Sequence, residues 1–146
     1  MDQLILRKIY QQIDKRSYAL MKEAEQFVDR HNLLTTSQAS GLTDVADCVD
    51  SLSTLVANYI QHQATKSTTK DKDREFWQDL KREINGLRKQ AEEIRAMLGL
   101  PDNTERVRKE QLNQIQLLLA RDYIQHLAAH EIYRKASREG NYDSMA

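Results

Sequence analysis

Asp122, His126 and His130 stand at i, i+4 and i+8, so they share one stripe of a helix, with Glu131 beside them. Imidazole and carboxylate at that spacing can place a metal ion between helices. A metal site in a helical bundle is usually completed by Glu-x-x-His on paired helices, and that pattern is absent here. No other histidine brings an obvious second-ligand motif, so the stripe is expected to pack, with no metal and no cofactor. Cys48 is the only cysteine, which excludes an intramolecular disulfide and a thiolate cluster. It lies one residue from an apolar stripe and no partner base can be named for it, so packing is expected rather than nucleophilic chemistry. There is no glycine-rich phosphate loop and no zinc ribbon. The expectation is a protein without catalytic residues or a small-molecule substrate.

The best functional hint is basic. Arg74, Lys81, Arg88 and Arg95 recur every seven residues along one flank of an apolar seam. At about 1.5 Å of rise per residue the row spans roughly 30 Å, enough to follow several phosphates of a nucleic-acid strand through counterion release. The competing reading is a solvated flank, because Glu92 stands four residues from Arg88 and three from Arg95 and can pair with both. Lys66, Lys70 and Lys72 add positive charge at the entrance to the same helix.

Four helical segments must position these groups. The third is marked by Trp77, Leu80, Ile84, Leu87, Ala91, Ile94 and Leu98 in a 3-4 repeat. Asp71 and Asp73 bias its start, Gly99 suits the left-handed position after its last turn, and Pro101 forbids continuation. Asp102, Asn103 and Thr104 offer caps for the fourth segment, expected to run to about Arg138. Leu117, Leu118, Leu119 and Ala120 cover more than one face of it, so it should be central or face a partner. The second segment begins at Thr35, three residues before Gln38, the capping-box spacing. Its stripe is Leu42, Val45, Val49, Leu52, Val56 and Tyr59, with Gly41 inside. The first segment, from about Asp2 to His31, carries Leu6, Ile9, Ile13, Leu20, Ala24 and Phe27, interrupted by Arg16 and Ser17. Residues 64–73 read as a mobile polar loop and 139–146 as a frayed tail.

The chain has 146 residues with equal numbers of acidic and basic side chains, one proline and four glycines. Scarce proline and glycine favour long helices over a sheet. The predicted fold is all-α: a single domain, residues 1–146, built as a four-helix bundle of long helices with short connections. Zero net charge argues against a free-standing polyanion binder. No apolar run approaches the roughly 18 residues that cross a bilayer, and "MDQLILRKIY" lacks a basic n-region and cleavage site. A cytoplasmic protein with no membrane partner is expected.

The stretch Leu34-Thr35-Thr36-Ser37-Gln38, followed by an amphipathic helix, resembles the start of the small helical subunit of type III CRISPR effector complexes, the Csm-two family. "REFWQDLKREI" (74–84) is similar to the acidic-aromatic helix of that family, and "ARDYIQHLAAHEIYRK" (120–135) to its final Ala- and Tyr-rich helix. The likeness covers about residues 34–136. Ala39 and Ser40 replace the family's hydrophobic-arginine pair, no Ala-Gly-Arg segment occurs in the third helix, and residues 1–33 would be an added N-terminal helix. The resemblance implies a non-catalytic subunit of an antiviral ribonucleoprotein. It would be present in more than one copy, beside other subunits and copies of itself, and would contact the backbone of guide RNA and target. The alternative is a helical protein–protein scaffold or adaptor with no nucleic-acid role.

Overall fold

The computed structural model describes residues 2–31, 35–66, 71–101 and 104–145, and among these every regular element is helical. The elements are α1 (Gln3–His31), α2 (Thr36–Cys48), a π-helical stretch π1 (Thr54–Ile60) running directly into α3 (Gln61–Thr65), α4 (Asp71–Gly86), α5 (Arg88–Leu98) and α6 (Glu105–Met145). The fold is all-α, in line with the scarcity of glycine and proline.

Local signals set several boundaries. The Thr35 hydroxyl accepts from the Gln38 amide at 3.1 Å, and the Gln38 side chain accepts from the Thr35 amide at 2.9 Å. This reciprocal pair satisfies two otherwise orphaned donors. Thr35→Ala should therefore lower stability by about 1 kcal/mol, read from a urea melt. Gly99 ends α5 at φ 58°, the left-handed position open to glycine, and Leu100 tucks in behind it, 8% exposed. Thr104 caps α6 by accepting from Val107 at 3.1 Å. Asp102 and Asn103 lie outside the described residues, as do 67–70.

The second segment is not one straight helix. It breaks at Val49–Ser51 and doubles back, so that a Cβ on Gly41 would lie 3.7 Å from the Tyr59 hydroxyl. In a continuous helix those residues would be about 27 Å apart. That distance is ordinary contact, so Gly41 is not required by a close approach. Ser51 starts the returning rod: its hydroxyl accepts from the Thr54 amide at 3.1 Å. The rod then widens, the Gln61 amide bonding back to the Val56 carbonyl five residues earlier.

A second break separates α4 from α5. The Gln116 side-chain amide, 3% exposed, donates to the Ile84 carbonyl at 2.9 Å, while the Leu87 amide bonds to the same carbonyl at 3.1 Å. The side chain thus takes the place of the Arg88 amide on that carbonyl, and the ladder tightens locally to an i→i+3 bond.

The chain thus runs up through α1, down α2, up π1–α3, down α4–α5 and up α6. Helix α6 is central and packs on α1, α2 and α5. Leu119, Ala120, Tyr123, Ile124 and Leu127 on α6 share one core with Ile9, Leu20 and Phe27 of α1 and with Trp77, Leu80 and Ile84 of α4. The polar interruptions of α1 are cross-helix contacts: Arg16 pairs with Glu93 of α5 at 3.1 Å, and Ser17 meets α6. Helix extends into both flanks of the expected 64–73 loop, and α6 continues past Arg138 to Met145.

Candidate nucleic-acid interface

The expected basic row lies along the inner flank of α4–α5, where each cation donates to a neutral acceptor on another part of the chain. Arg74 Nε meets the Ala64 carbonyl at 3.3 Å, with Asp71 at 3.7 Å from its guanidinium. Lys81 Nζ donates to Gln61 Oε1 at 2.9 Å. Arg88 reaches Asn113 Oδ1 at 2.7 Å and Gln116 Oε1 at 3.3 Å. Arg95 reaches Gln111 Oε1 at 2.9 Å and the Leu100 carbonyl at 3.3 Å. Arg74 and Lys81 therefore bind α4 to α3, and Arg88 and Arg95 bind α5 to α6. Three of the four are not on a solvated flank: Lys81, Arg88 and Arg95 are half-buried, while Arg74 is exposed. Removing Lys81 and Arg88 together by alanine should cost about 1–2 kcal/mol of stability, since each loses partly buried hydrogen bonds and strands amide acceptors. Thermal melts of the double variant provide the check.

The Asp122–His126–His130 stripe is divided between two polar contacts with α1. Ser17 Oγ sits 2.8 Å from His126 Nε2 and 3.0 Å from Asp122 Oδ2. Asp122 Oδ2 approaches the same Nε2 at 3.3 Å. In a Ser-His-Asp triad the carboxylate holds the opposite ring nitrogen, so this arrangement is a polar tie between helices. His130 lies 3.1 Å from Asp29, which also pairs with Arg134. Among the described residues no three His, Cys, Asp or Glu side chains converge as a metal site. Cys48 is exposed at the end of α2, contrary to the expected packing.

Tyr123 is 1% exposed. Burial pushes its hydroxyl well above the ordinary range, with the Glu83 and Glu23 carboxylates adding to the effect and Arg30 opposing it. Its role is that of a neutral core ring. The open cleft between the end of α1 and α4 is rich in charge, and five of its seven lining residues pair with one another. His31 pairs with Asp79 at 3.1 Å, Arg30 with Glu83 at 3.7 Å, and Arg82 with Asp79.

The solvent face of α1 is different. Arg7, Lys8, Lys15 and Lys22 are exposed there, and among the described residues no carboxylate pairs with any of them. Tyr18, 68% exposed, stands between Lys15 and Lys22, and Lys22 Nζ lies 5.5 Å from its ring centre. The signal for this face was available in the seven-residue recurrence Lys8–Lys15–Lys22, the same period that singled out the α4–α5 row. Only the packing separates the two rows.

The fold and these surfaces define an all-α helical protein with no membrane-crossing helix among its described residues. No family model, curated protein or solved structure matches the chain.

Proposed function

We propose that this chain is a non-catalytic helical subunit of a type III CRISPR ribonucleoprotein, present in more than one copy and in contact with the RNA backbone. One observation carries the reading. The helices that carry the segments resembling the Csm-two family contribute to one core. The Thr35 cap opens α2, which lies along α6. The aromatic segment 74–84 and the Ala- and Tyr-rich segment 120–135 contribute Phe76, Trp77, Leu80, Ile84, Tyr123, Ile124 and Leu127 to a single core.

The second reading, a helical protein–protein scaffold without RNA, is favoured by the internal bonding of the α4–α5 row. Affinity purification of the tagged chain from its native cell separates the two. Recovery in a large particle with short RNAs of defined length, and with a polymerase-like large subunit, supports the first. Recovery with proteins alone supports the second.

A further inference from the structure

The geometry points to the solvent face of α1 as a binding surface for the backbone of a single-stranded nucleic acid, with Lys8, Lys15 and Lys22 on phosphates and Tyr18 stacking on a base. This rests on the proposed ribonucleoprotein role, but α1 lies outside residues 34–136, which carry the family resemblance.

The surface is hidden in the overall charge. Residues 3–22 contain Arg7, Lys8, Lys15, Arg16 and Lys22 against the single acid Asp14. Residues 31–65 contain Asp44, Asp47 and Asp50 and no lysine or arginine. Over the rest of α1, Glu23, Glu25 and Asp29 outnumber Arg30, so the polarisation of this neutral chain lies between the first two thirds of α1 and the α2–π1 hairpin. Arg16 turns inward to Glu93, and the other four cations of residues 3–22 face solvent. Without carboxylate partners these cations have no ion pair to surrender on meeting phosphate, Lys22 giving up only its contact with the Tyr18 ring, and binding releases the phosphate's condensed counterions. The α4–α5 row would first have to break its bonds to α3 and α6.

Spacing and shape fit the same ligand. Lys8 to Lys22 covers about 21 Å of one straight helix, enough for several phosphates. The Tyr18 ring stands between the cations, and an aromatic face accepts any base by stacking. A helix that lies on a membrane needs an apolar face to insert; the apolar face of α1, from Ile9 to Val28, is spent in the core. An acidic protein partner would satisfy the lysines but would make no distinct use of the ring.

The test is fluorescence anisotropy with a labelled 20-nucleotide single-stranded RNA across a salt series, using the full chain. Lys8→Ala/Lys15→Ala/Lys22→Ala should weaken binding about tenfold or more. It should also flatten the slope of log affinity against log salt by about 2, near 0.7 per phosphate contact for single strands. Tyr18→Ala should weaken binding about tenfold at unchanged slope, and Tyr18→Phe should restore it, since stacking needs the ring and not the hydroxyl. Lys109→Ala, an exposed lysine on α6, serves as the control. Circular dichroism should show every variant folded, because exposed charges hold little of the fold.

Unchanged affinity and slope in the lysine variant would overturn the inference. So would absence of binding by the unaltered chain, or indifference to Tyr18→Ala together with equal binding to polyglutamate or phosphatidylserine vesicles. A particle that still carries its RNA when built with the lysine variant would sink this surface and leave the ribonucleoprotein reading intact. A native particle without RNA would sink that reading instead.

Discussion

Phe27→Ala should lower the stability of the chain by about 3–5 kcal/mol, the range for truncating a buried aromatic side chain. Phe27 is fully buried. Its ring centre lies 5.2 Å from Phe76 of α4 and 6.5 Å from Tyr123 of α6, both at edge-to-face angles, and 4.6 Å from His31. One ring therefore joins three helices, and alanine would remove edge-to-face contacts along with the buried area. The sequence leaves residues 1–33 open to being an added helix. The packing makes α1 part of the one core, through Ile9, Ile13, Leu20, Ala24, Phe27 and Val28. Guanidinium melts followed by circular dichroism should show a single transition at lower denaturant with an unchanged slope. A loss below about 1 kcal/mol, or a separate α1 transition, would mean that α1 is only laid against a core formed without it.

The features that could be read from sequence are those whose causes are local. Thr35 and Gln38 are three residues apart, and their reciprocal bonds need nothing else. Gly99 ends α5 because glycine is at ease with positive φ and Pro101 follows. The seam Trp77–Leu80–Ile84 is periodic, and periodicity reports burial directly. The two breaks have distant causes. The stripe Val45, Val49, Leu52, Val56 keeps its helical period straight through the reversal at 49–51, so pattern alone continues the helix. Likewise Leu87 sits in phase with the seam, while Gln116, 32 residues beyond Ile84, takes the Ile84 carbonyl that would have closed the next turn.

The candidate site was half legible for a related reason. A seven-residue recurrence places cations on one side of a helix, yet does not say what that side meets. On α4–α5 it meets Gln61, Asn113, Gln116 and Gln111, neutral side chains that no charge-pattern argument would pair with a lysine or arginine. On α1 the same recurrence meets water. The polar residues inside the α1 stripe were legible only as interruptions, because their partners Glu93, Asp122 and His126 are more than 70 residues away.

Arg121→Ala should cost about 2–4 kcal/mol and should loosen α2 before the rest of the bundle. Arg121 on α6 donates from Nε to the Ala46 carbonyl at 2.7 Å and from a terminal guanidinium nitrogen to the Val49 carbonyl. These oxygens belong to the last turn of α2 and the residue just beyond it, where carbonyls lose their intrahelical partners. A cation there also meets the negative end of the helix dipole. Charge-assisted bonds of this kind contribute about 1.5–3 kcal/mol each; Arg121 keeps some exposure, which places the pair below twice that. No proline or glycine forces the reversal at Val49–Ser51, so the forked guanidinium and the Ser51 hydroxyl hold it. Arg121→Lys presents one compact charge in place of the fork and should recover about half of the loss. Hydrogen exchange of the α2 amides should accelerate ahead of those in α4 and α6 when Arg121 is alanine. Uniform acceleration across all helices, or a stability change below about 0.5 kcal/mol, would show that the hairpin is held by its apolar contacts alone.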